Sequence, residues 1–182
     1  LFFYITGHGT LTDENNDGVA TEDLAFTGTY SLAANGRGVA TFTSTRGSSE
    51  FSFYMVSPSR AFFVEQGAYA VAAGDVDAQQ GGPFSTASIA GDFGLSGEGS
   101  DSEIVGQFNA TGAGAVAGTV DLNDEIAGPI PDQAFNATYS VTATGRGNYT
   151  VNGTDPSQFH IYVISPSKAV VIGINEVLLV TA

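Results

Sequence analysis

The sequence predicts an all-β protein, and its composition and its patterning both support this fold class. Of the 182 residues, 42% are apolar, 11% are aromatic and 13% are charged, so the chain can bury enough apolar surface to offset the entropy of ordering its backbone. Short runs alternate apolar residues with small or polar ones, and clusters of Gly, Pro and Asn separate these runs. This alternation predicts antiparallel strands joined by tight turns.

A third observation is that the chain repeats. The segment Phe26–Gly38 returns as Phe135–Gly147, so that Gly36 matches Gly145 at a spacing of 109 positions. The segment Phe51–Ala61 returns as Phe159–Ala169 at a spacing of 108 positions. Because strand patterns and turn residues recur together, we expect two related units of the same fold.

These matches set the expected division of the chain. We expect the first unit to span residues 1–82 and the second to span residues 83–182. The first unit has no counterpart of Phe84–Gly106, so the chain is expected to start inside one repeat. Each unit is expected to form an antiparallel meander, packed as a β-sandwich or as a small barrel.

Local turn signals predict the strand pairs in chain order. Asn35–Gly38 lies between two alternating runs and predicts the first hairpin, because Asn and Gly tolerate positive φ. Phe51 and Met55 lie on one face of the next predicted strand. Ser57–Ser59 then turns the chain into a further strand, and Pro166 marks the same turn in the second unit.

The charge balance disfavours two classes of partner. The chain has 19 acidic and 5 basic residues, a net charge of −14, which repels nucleic acid and anionic membrane surfaces. The most apolar stretch, Ala169–Val180, is too short to span a bilayer, so we expect no transmembrane segment. Cysteine is absent, so no disulfide framework is expected. A start at Leu1 without a basic leader is typical of a mature or trimmed product.

Several segments rich in glycine and apolar residues resemble the tandem β-repeats of large, mostly uncharacterised bacterial extracellular and cell-surface proteins. The resembling segments are Gly106–Gly114, Gly118–Asp124, Gly145–Gly147 and Phe159–Ser165. Most of their positions are occupied by glycine or by core-type residues, which contain little information about catalysis. The resemblance therefore implies an extracellular or cell-surface location more than it implies an activity.

One acidic loop is a candidate metal site. Asp13, Asn15 and Asp17, followed by Gly18, reproduce the one-three-five spacing of oxygen ligands at the start of a Ca²⁺ loop. The loop is not an EF-hand, because Leu24 stands where a bidentate Glu is needed. Two interpretations follow, a Ca²⁺ site of another β-loop type and a solvated acidic turn whose side chains accept local backbone hydrogen bonds. Ca²⁺ is the one cofactor that the sequence suggests.

Four Asn-X-Ser/Thr triplets are candidate N-glycosylation sites, at Asn109, Asn136, Asn148 and Asn152. Ser and Thr are frequent enough in this chain for such triplets to arise by chance. The pattern therefore predicts attached sugar only for a chain that enters a glycosylating secretory pathway.

No set of residues predicts catalysis, and we expect that the protein is not an enzyme. The two histidines, His8 and His160, correspond to Ala113 and Ser52 in the other repeat, and no nucleophile-elbow motif surrounds a serine. Each histidine is therefore expected to be an ordinary strand or turn residue.

Two arginines match between the repeats, Arg37 and Arg146. A single active site needs its groups once, whereas a residue that recurs in each unit favours a structural role. We expect each arginine to tie a turn or strand to a neighbouring carboxylate.

The sequence favours a structural role at the cell surface. Repeated β units provide length without chemistry, so we expect a subunit of a filament, sheath or adhesive stalk, assembled by β-strand pairing with further copies of the chain. The alternative is a β module that binds a surface glycan or a small apolar ligand. Its aromatic contacts would come from residues such as Tyr4, Tyr69 and Tyr149, on the surface or in a barrel lumen.

Overall fold

The computed structural model describes residues 9–16, 19–67, 72–99, 102–153, 156–174 and 178–181. Side chains are described within residues 24–67, 72–99, 102–153 and 156–174. These residues form fourteen strands and one short 3₁₀ helix, Thr86–Ser88, so the prediction of an all-β fold with two related units is confirmed. The described part of the chain contains no helix long and apolar enough to cross a membrane. The two compact units meet in sequence between Ala78 and Gln79, whereas the repeat pattern predicted residues 82 and 83.

Unit 1 is a six-stranded antiparallel sheet in which every strand pairs with its neighbour in sequence. Its strands are β1 (Gly9–Asn16), β2 (Val19–Leu32), β3 (Arg37–Ser44), β4 (Gly47–Ser57), β5 (Arg60–Glu65) and β6 (Ala73–Asp77). Among the described residues, β1 and β6 each have one neighbour and are the edge strands. This is the meander that the turn signals predict.

Unit 2 is a closed antiparallel barrel of eight strands. Its strands are β7 (Ala90–Gly99), β8 (Ser102–Thr111), β9 (Ala115–Asp124), β10 (Gly128–Val141), β11 (Arg146–Val151), β12 (Ser157–Ser165), β13 (Lys168–Gly173) and β14 (Leu178–Thr181). The last strand pairs with the first, from Leu178 opposite Gly99 to Thr181 opposite Ser96. Of the two architectures expected from the sequence, unit 2 therefore adopts the small barrel.

The strand pairing of β2–β5 corresponds residue by residue to that of β10–β13. Arg37 lies opposite Tyr54 in unit 1, and Arg146 lies opposite Tyr162 in unit 2. The register shifts just after Met55 on β4 and at the matching position after Val163 on β12. Equivalent positions of the two units can therefore be compared directly.

A glycine in the left-handed region forms the turn between β2 and β3 and between β10 and β11. Gly36 has φ +83° and Gly145 has φ +88°, values that residues with a Cβ adopt at a cost. The carbonyl of Gly36 accepts the N–H of Met55 at 2.9 Å, and that of Gly145 accepts the N–H of Val163 at 2.9 Å. The turn is thus tied to the next strand in the same way in both units.

A row of phenylalanines joins four strands of unit 1. The ring centroids of neighbouring pairs lie 5.2, 5.4 and 5.6 Å apart along the row of Phe26, Phe42, Phe51 and Phe63. Two of these pairs are edge-to-face, the arrangement that aromatic quadrupoles favour. We call the face that bears this row the aromatic face of unit 1.

Candidate functional site

The interior of the unit 2 barrel contains a cavity of about 380 Å³. Side chains alternate between the two faces of a strand, so every second residue of the barrel strands points inward. Strands β7, β8, β9, β10 and β11 contribute aromatic and aliphatic walls, which include Phe93, Leu95, Phe108, Leu122, Phe135 and Val151. An eight-stranded barrel is just wide enough to be filled by its own side chains or to hold one small molecule. In this barrel the side chains leave room.

The segment that precedes β7 closes one end of the barrel. Phe84 and Ile89 are buried in the same core cluster as Val163. The N–H of Phe84 donates to Ala143 at 3.1 Å, and the Oγ1 of Thr86 accepts the N–H of Val141 at 3.2 Å. These bonds attach the closing segment to the turn between β10 and β11.

Tyr139 completes the closed end from inside the barrel. Its hydroxyl donates to the carbonyl oxygen of Ile89 and accepts the N–H of Gly112 at 3.1 Å. Burial raises the pKa of this hydroxyl, and the N–H groups of Gly112 and Gly114 offset part of that effect. Because both bonds go to backbone groups of the closing segment and of a turn, we assign Tyr139 to the structure of the barrel.

Tyr149 stands on β11 and lines the cavity. Its ring packs edge-to-face against Phe159, with centroids 6.0 Å apart and an interplanar angle of 70°. Burial raises the pKa of its hydroxyl above the ordinary tyrosine value. Within the described part of the chain, no hydrogen-bond partner reaches this hydroxyl. It is a polar group on an apolar wall.

The rest of the wall is electrically neutral where its side chains are described. No Asp, Glu, Lys, Arg or His is among the described residues that line the cavity. Gln133 is one of its few polar members, and its Nε2 donates to the carbonyl of Pro131 at 2.8 Å. Ser157 is another, and it already has a bonding partner. The cavity therefore suits an uncharged, mainly apolar molecule.

The side chains of the sequence-predicted Ca²⁺ loop are not described. Asp13 and Asn15 fall on β1 with their side chains not described, and Asp17 is outside the description altogether. The described residues contain no cluster of three or more His, Cys, Asp or Glu that could hold a metal ion. The Ca²⁺ site at these three residues stays a prediction.

The corresponding loop of unit 2, Asp121–Ile126, is an acidic turn. Asp124 accepts the N–H of Ala127 at 2.7 Å and that of Ile126 at 2.9 Å, and these two bonds lower the pKa of its carboxyl. Asp121 accepts the N–H of Asp132 at 2.8 Å. Both carboxylates thus satisfy local backbone donors, which is the second of the two interpretations that the sequence allowed for such a loop.

The four candidate glycosylation residues are all exposed. Asn109 donates from Nδ2 to Asp92 at 2.8 Å on the neighbouring strand. Asn148 accepts through Oδ1 from the Nδ1 of His160 at 3.1 Å. Asn136 and Asn152 are likewise on the surface, and glycosylation of the four residues stays a prediction.

The side chains of Arg37 and Arg146 form hydrogen bonds with side chains on the following strand. The guanidinium of Arg37 donates to Ser52 Oγ at 3.0 Å. That of Arg146 contacts the Nε2 of His160 at 3.2 Å and donates to the hydroxyl of Tyr162 at 3.3 Å. Since His160 and Ser52 are equivalent positions, each arginine ties β3 or β11 to the following strand through a hydroxyl or an imidazole.

Sequence reasoning named Tyr149 but missed the other residues of the cavity. Tyr4, Tyr69 and His8 lie outside the described residues. Phe93 and Leu95 alternate on β7 with exposed neighbours, a signal that identifies one apolar face without showing that the face is enclosed. The apolar faces of the strands enclose a cavity only because the sheet of unit 2 closes into a barrel.

Comparison with known proteins adds no assignment. No protein-family model matches the chain, and no curated protein and no solved structure matches it either.

Proposed function

We propose that unit 2 binds one small, neutral, largely apolar molecule in its barrel lumen. The observation that supports this proposal is the cavity of about 380 Å³ with an uncharged and mainly apolar wall. Binding cavities for small molecules commonly fall between about 300 and 1,000 Å³ and combine apolar walls with a few polar groups. Burial of apolar ligand surface provides the affinity, at about 25 cal/mol per Å² before the cost of association.

This proposal develops the ligand-binding alternative from the sequence and replaces its glycan by an apolar molecule. A sugar needs many hydrogen-bonding partners, since each buried hydroxyl without one costs free energy. The wall offers Tyr149, Gln133 and Ser157 among mostly hydrocarbon side chains. We place the module outside the cell or at its surface, as the sequence predicts, and assign it binding and no catalysis.

Filling the lumen is expected to abolish binding. Leu122→Trp adds an indole ring to the cavity wall, so we expect it to weaken binding of the neutral fluorophore N-phenyl-1-naphthylamine at least tenfold. Val105→Trp is the matched control, because Val105 lies on the adjacent strand and is 55% exposed. Fluorescence titration of the full chain measures both. Absence of binding to the wild-type chain, or equal binding to both variants, would contradict the proposal.

We also propose, as a second candidate, that unit 1 pairs through its edge strand β6 with another copy of the chain. Glu65 donates its N–H to Ala72, and Ala78 donates its N–H to Ser59, so alternate residues of β6 face β5. Ala73 and Asp75 lie between those positions and point their N–H groups away from β5. In unit 2 the equivalent strand β14 has neighbours on both sides. Open strand edges favour addition of a further strand.

A proline on this edge is expected to block such pairing. Asp75→Pro removes an N–H that faces away from β5 and leaves the bonds to β5 in place. If copies pair through β6, wild-type chain forms oligomers in sedimentation experiments, and the proline variant requires at least tenfold more protein to do so. Asp75→Ala controls for loss of the 2.8 Å ion pair with Arg60. Wild-type chain that stays monomeric at every concentration would overturn this candidate.

A further inference from the structure

We infer that the molecule bound in the barrel has a hydrogen-bond acceptor, a carbonyl oxygen, that meets the hydroxyl of Tyr149. This inference rests on the proposed function and specifies its ligand. Its basis is Tyr149, a tyrosine of the cavity wall whose hydroxyl no described residue bonds. Tyr139, the other tyrosine of the wall, has its hydroxyl bonded to Ile89 and Gly112.

The position of the Tyr149 hydroxyl is set by its surroundings. β11 is hydrogen-bonded to β10 and to β12, and the Tyr149 backbone lies opposite Tyr139 on one side and Phe159 on the other. The edge-to-face contact with the Phe159 ring restricts rotation of the Tyr149 ring. A ligand therefore meets a donor at a fixed place, which favours orientation of one polar group.

The chemistry of the wall selects an acceptor without donors of its own. A tyrosine hydroxyl is protonated at neutral pH, and a protonated phenol is a good donor. A carbonyl accepts this proton and brings no N–H or O–H that needs a further partner. An alcohol or amide brings a donor as well, and the remaining wall is mainly hydrocarbon with few acceptors besides Gln133, so burial of that donor is less favourable.

An anionic ligand is disfavoured by the same surroundings. The cavity wall contains no cation among its described residues, and the chain has a net charge of −14. A carboxylate would lose its hydration on entering the barrel without an opposite charge to replace it. The ligand class is therefore a neutral ketone, ester or lactone on an apolar skeleton.

Two probes, of which only the first has a carbonyl, test this inference. The first is 6-propionyl-2-(dimethylamino)naphthalene, and the second is 2-(dimethylamino)naphthalene, which lacks the propionyl group. Tyr149→Phe keeps the ring and removes its hydroxyl. We expect the variant to bind the carbonyl probe about threefold to tenfold more weakly than wild type, the effect of one hydrogen bond, and to bind the second probe unchanged. The carbonyl stretch of the bound first probe should lie at lower frequency in wild type than in the variant.

The possible outcomes distinguish failure of the carbonyl inference from failure of the proposed binding function. If wild type binds neither probe, the proposed function fails. If wild type binds both probes and Tyr149→Phe changes neither affinity nor the carbonyl stretch, the cavity binds apolar molecules but the acceptor inference is overturned. Unchanged binding of the second probe by the variant shows that its barrel is intact.

Discussion

Replacement of Gly147 by alanine is expected to destabilise the barrel by about 4 kcal/mol or more, an effect at the upper end for a single substitution. Gly147 is buried on β11 and lies opposite Val141 of β10. A Cβ at this position would overlap the carbonyl oxygen of Ser140 and lie 2.9 Å from the Cα of Val141. Both obstacles are backbone atoms, so relief requires that the two strands move apart.

A second glycine of the same barrel provides the control. A Cβ at Gly94 on β7 would approach nothing closer than the Gly106 carbonyl, at 3.9 Å, so Gly94→Ala is expected to change stability by less than about 1 kcal/mol. Urea unfolding followed by far-ultraviolet circular dichroism gives the free energy for each variant. Equal stability of the two variants would show that β10 and β11 lie farther apart at Gly147 than in the structure.

The fold was predictable because its signals are local. Alternation over Phe51–Met55 and the turn glycines Gly36 and Gly145 are recognisable within ten residues, and the described structure has each where it was expected. The choice between sandwich and barrel was not predictable in this way. It depends on whether β14 pairs with β7, and Thr181 and its partner Ser96 are distant in sequence. Alternation shows which face is apolar, but not what encloses it.

The same limit applied to the candidate site. Tyr149 was named because it is aromatic. Whether its hydroxyl can donate to a ligand depends on the neighbouring side chains, and these come from several strands. The expected carboxylate partners of Arg37 and Arg146 illustrate the point further. Ser52 and His160 accept these contacts, because the register of the next strand decides which side chain lies within reach.

Tyr30 and Tyr139 are equivalent positions of the two repeats, yet their surroundings differ between the units. Tyr30 of unit 1 is 69% exposed, whereas its counterpart Tyr139 is 6% exposed. In unit 2 the closing segment supplies Ile89 as the partner of the Tyr139 hydroxyl. A pattern repeated in the sequence therefore produces a closed end and a cavity in unit 2, while in unit 1 the same tyrosine faces solvent.

Replacement of Phe51 by alanine is expected to destabilise unit 1 by about 3 to 5 kcal/mol, the range for a buried phenylalanine. Phe51 is 2% exposed and contacts both Phe42 and Phe63 on the aromatic face. Its removal leaves a cavity at the centre of the row and also breaks two ring contacts, each worth about 0.5 to 1.5 kcal/mol beyond burial. Urea unfolding measures the change.

The control for this substitution is the same change on the other face of the sheet. Phe62 lies on β5 and is 49% exposed, with the guanidinium of Arg60 5.3 Å from its ring centroid. Phe62→Ala loses that cation–π contact and the burial of about half of the side chain, so we expect a cost of about 1 to 2 kcal/mol. A cost for Phe51→Ala no larger than that for Phe62→Ala would mean that the aromatic face is not the core of unit 1. Phe51 and Phe62 differ mainly in how deeply their rings are buried. Equal costs would therefore mean that unit 1 is stabilised mainly by backbone pairing between its strands.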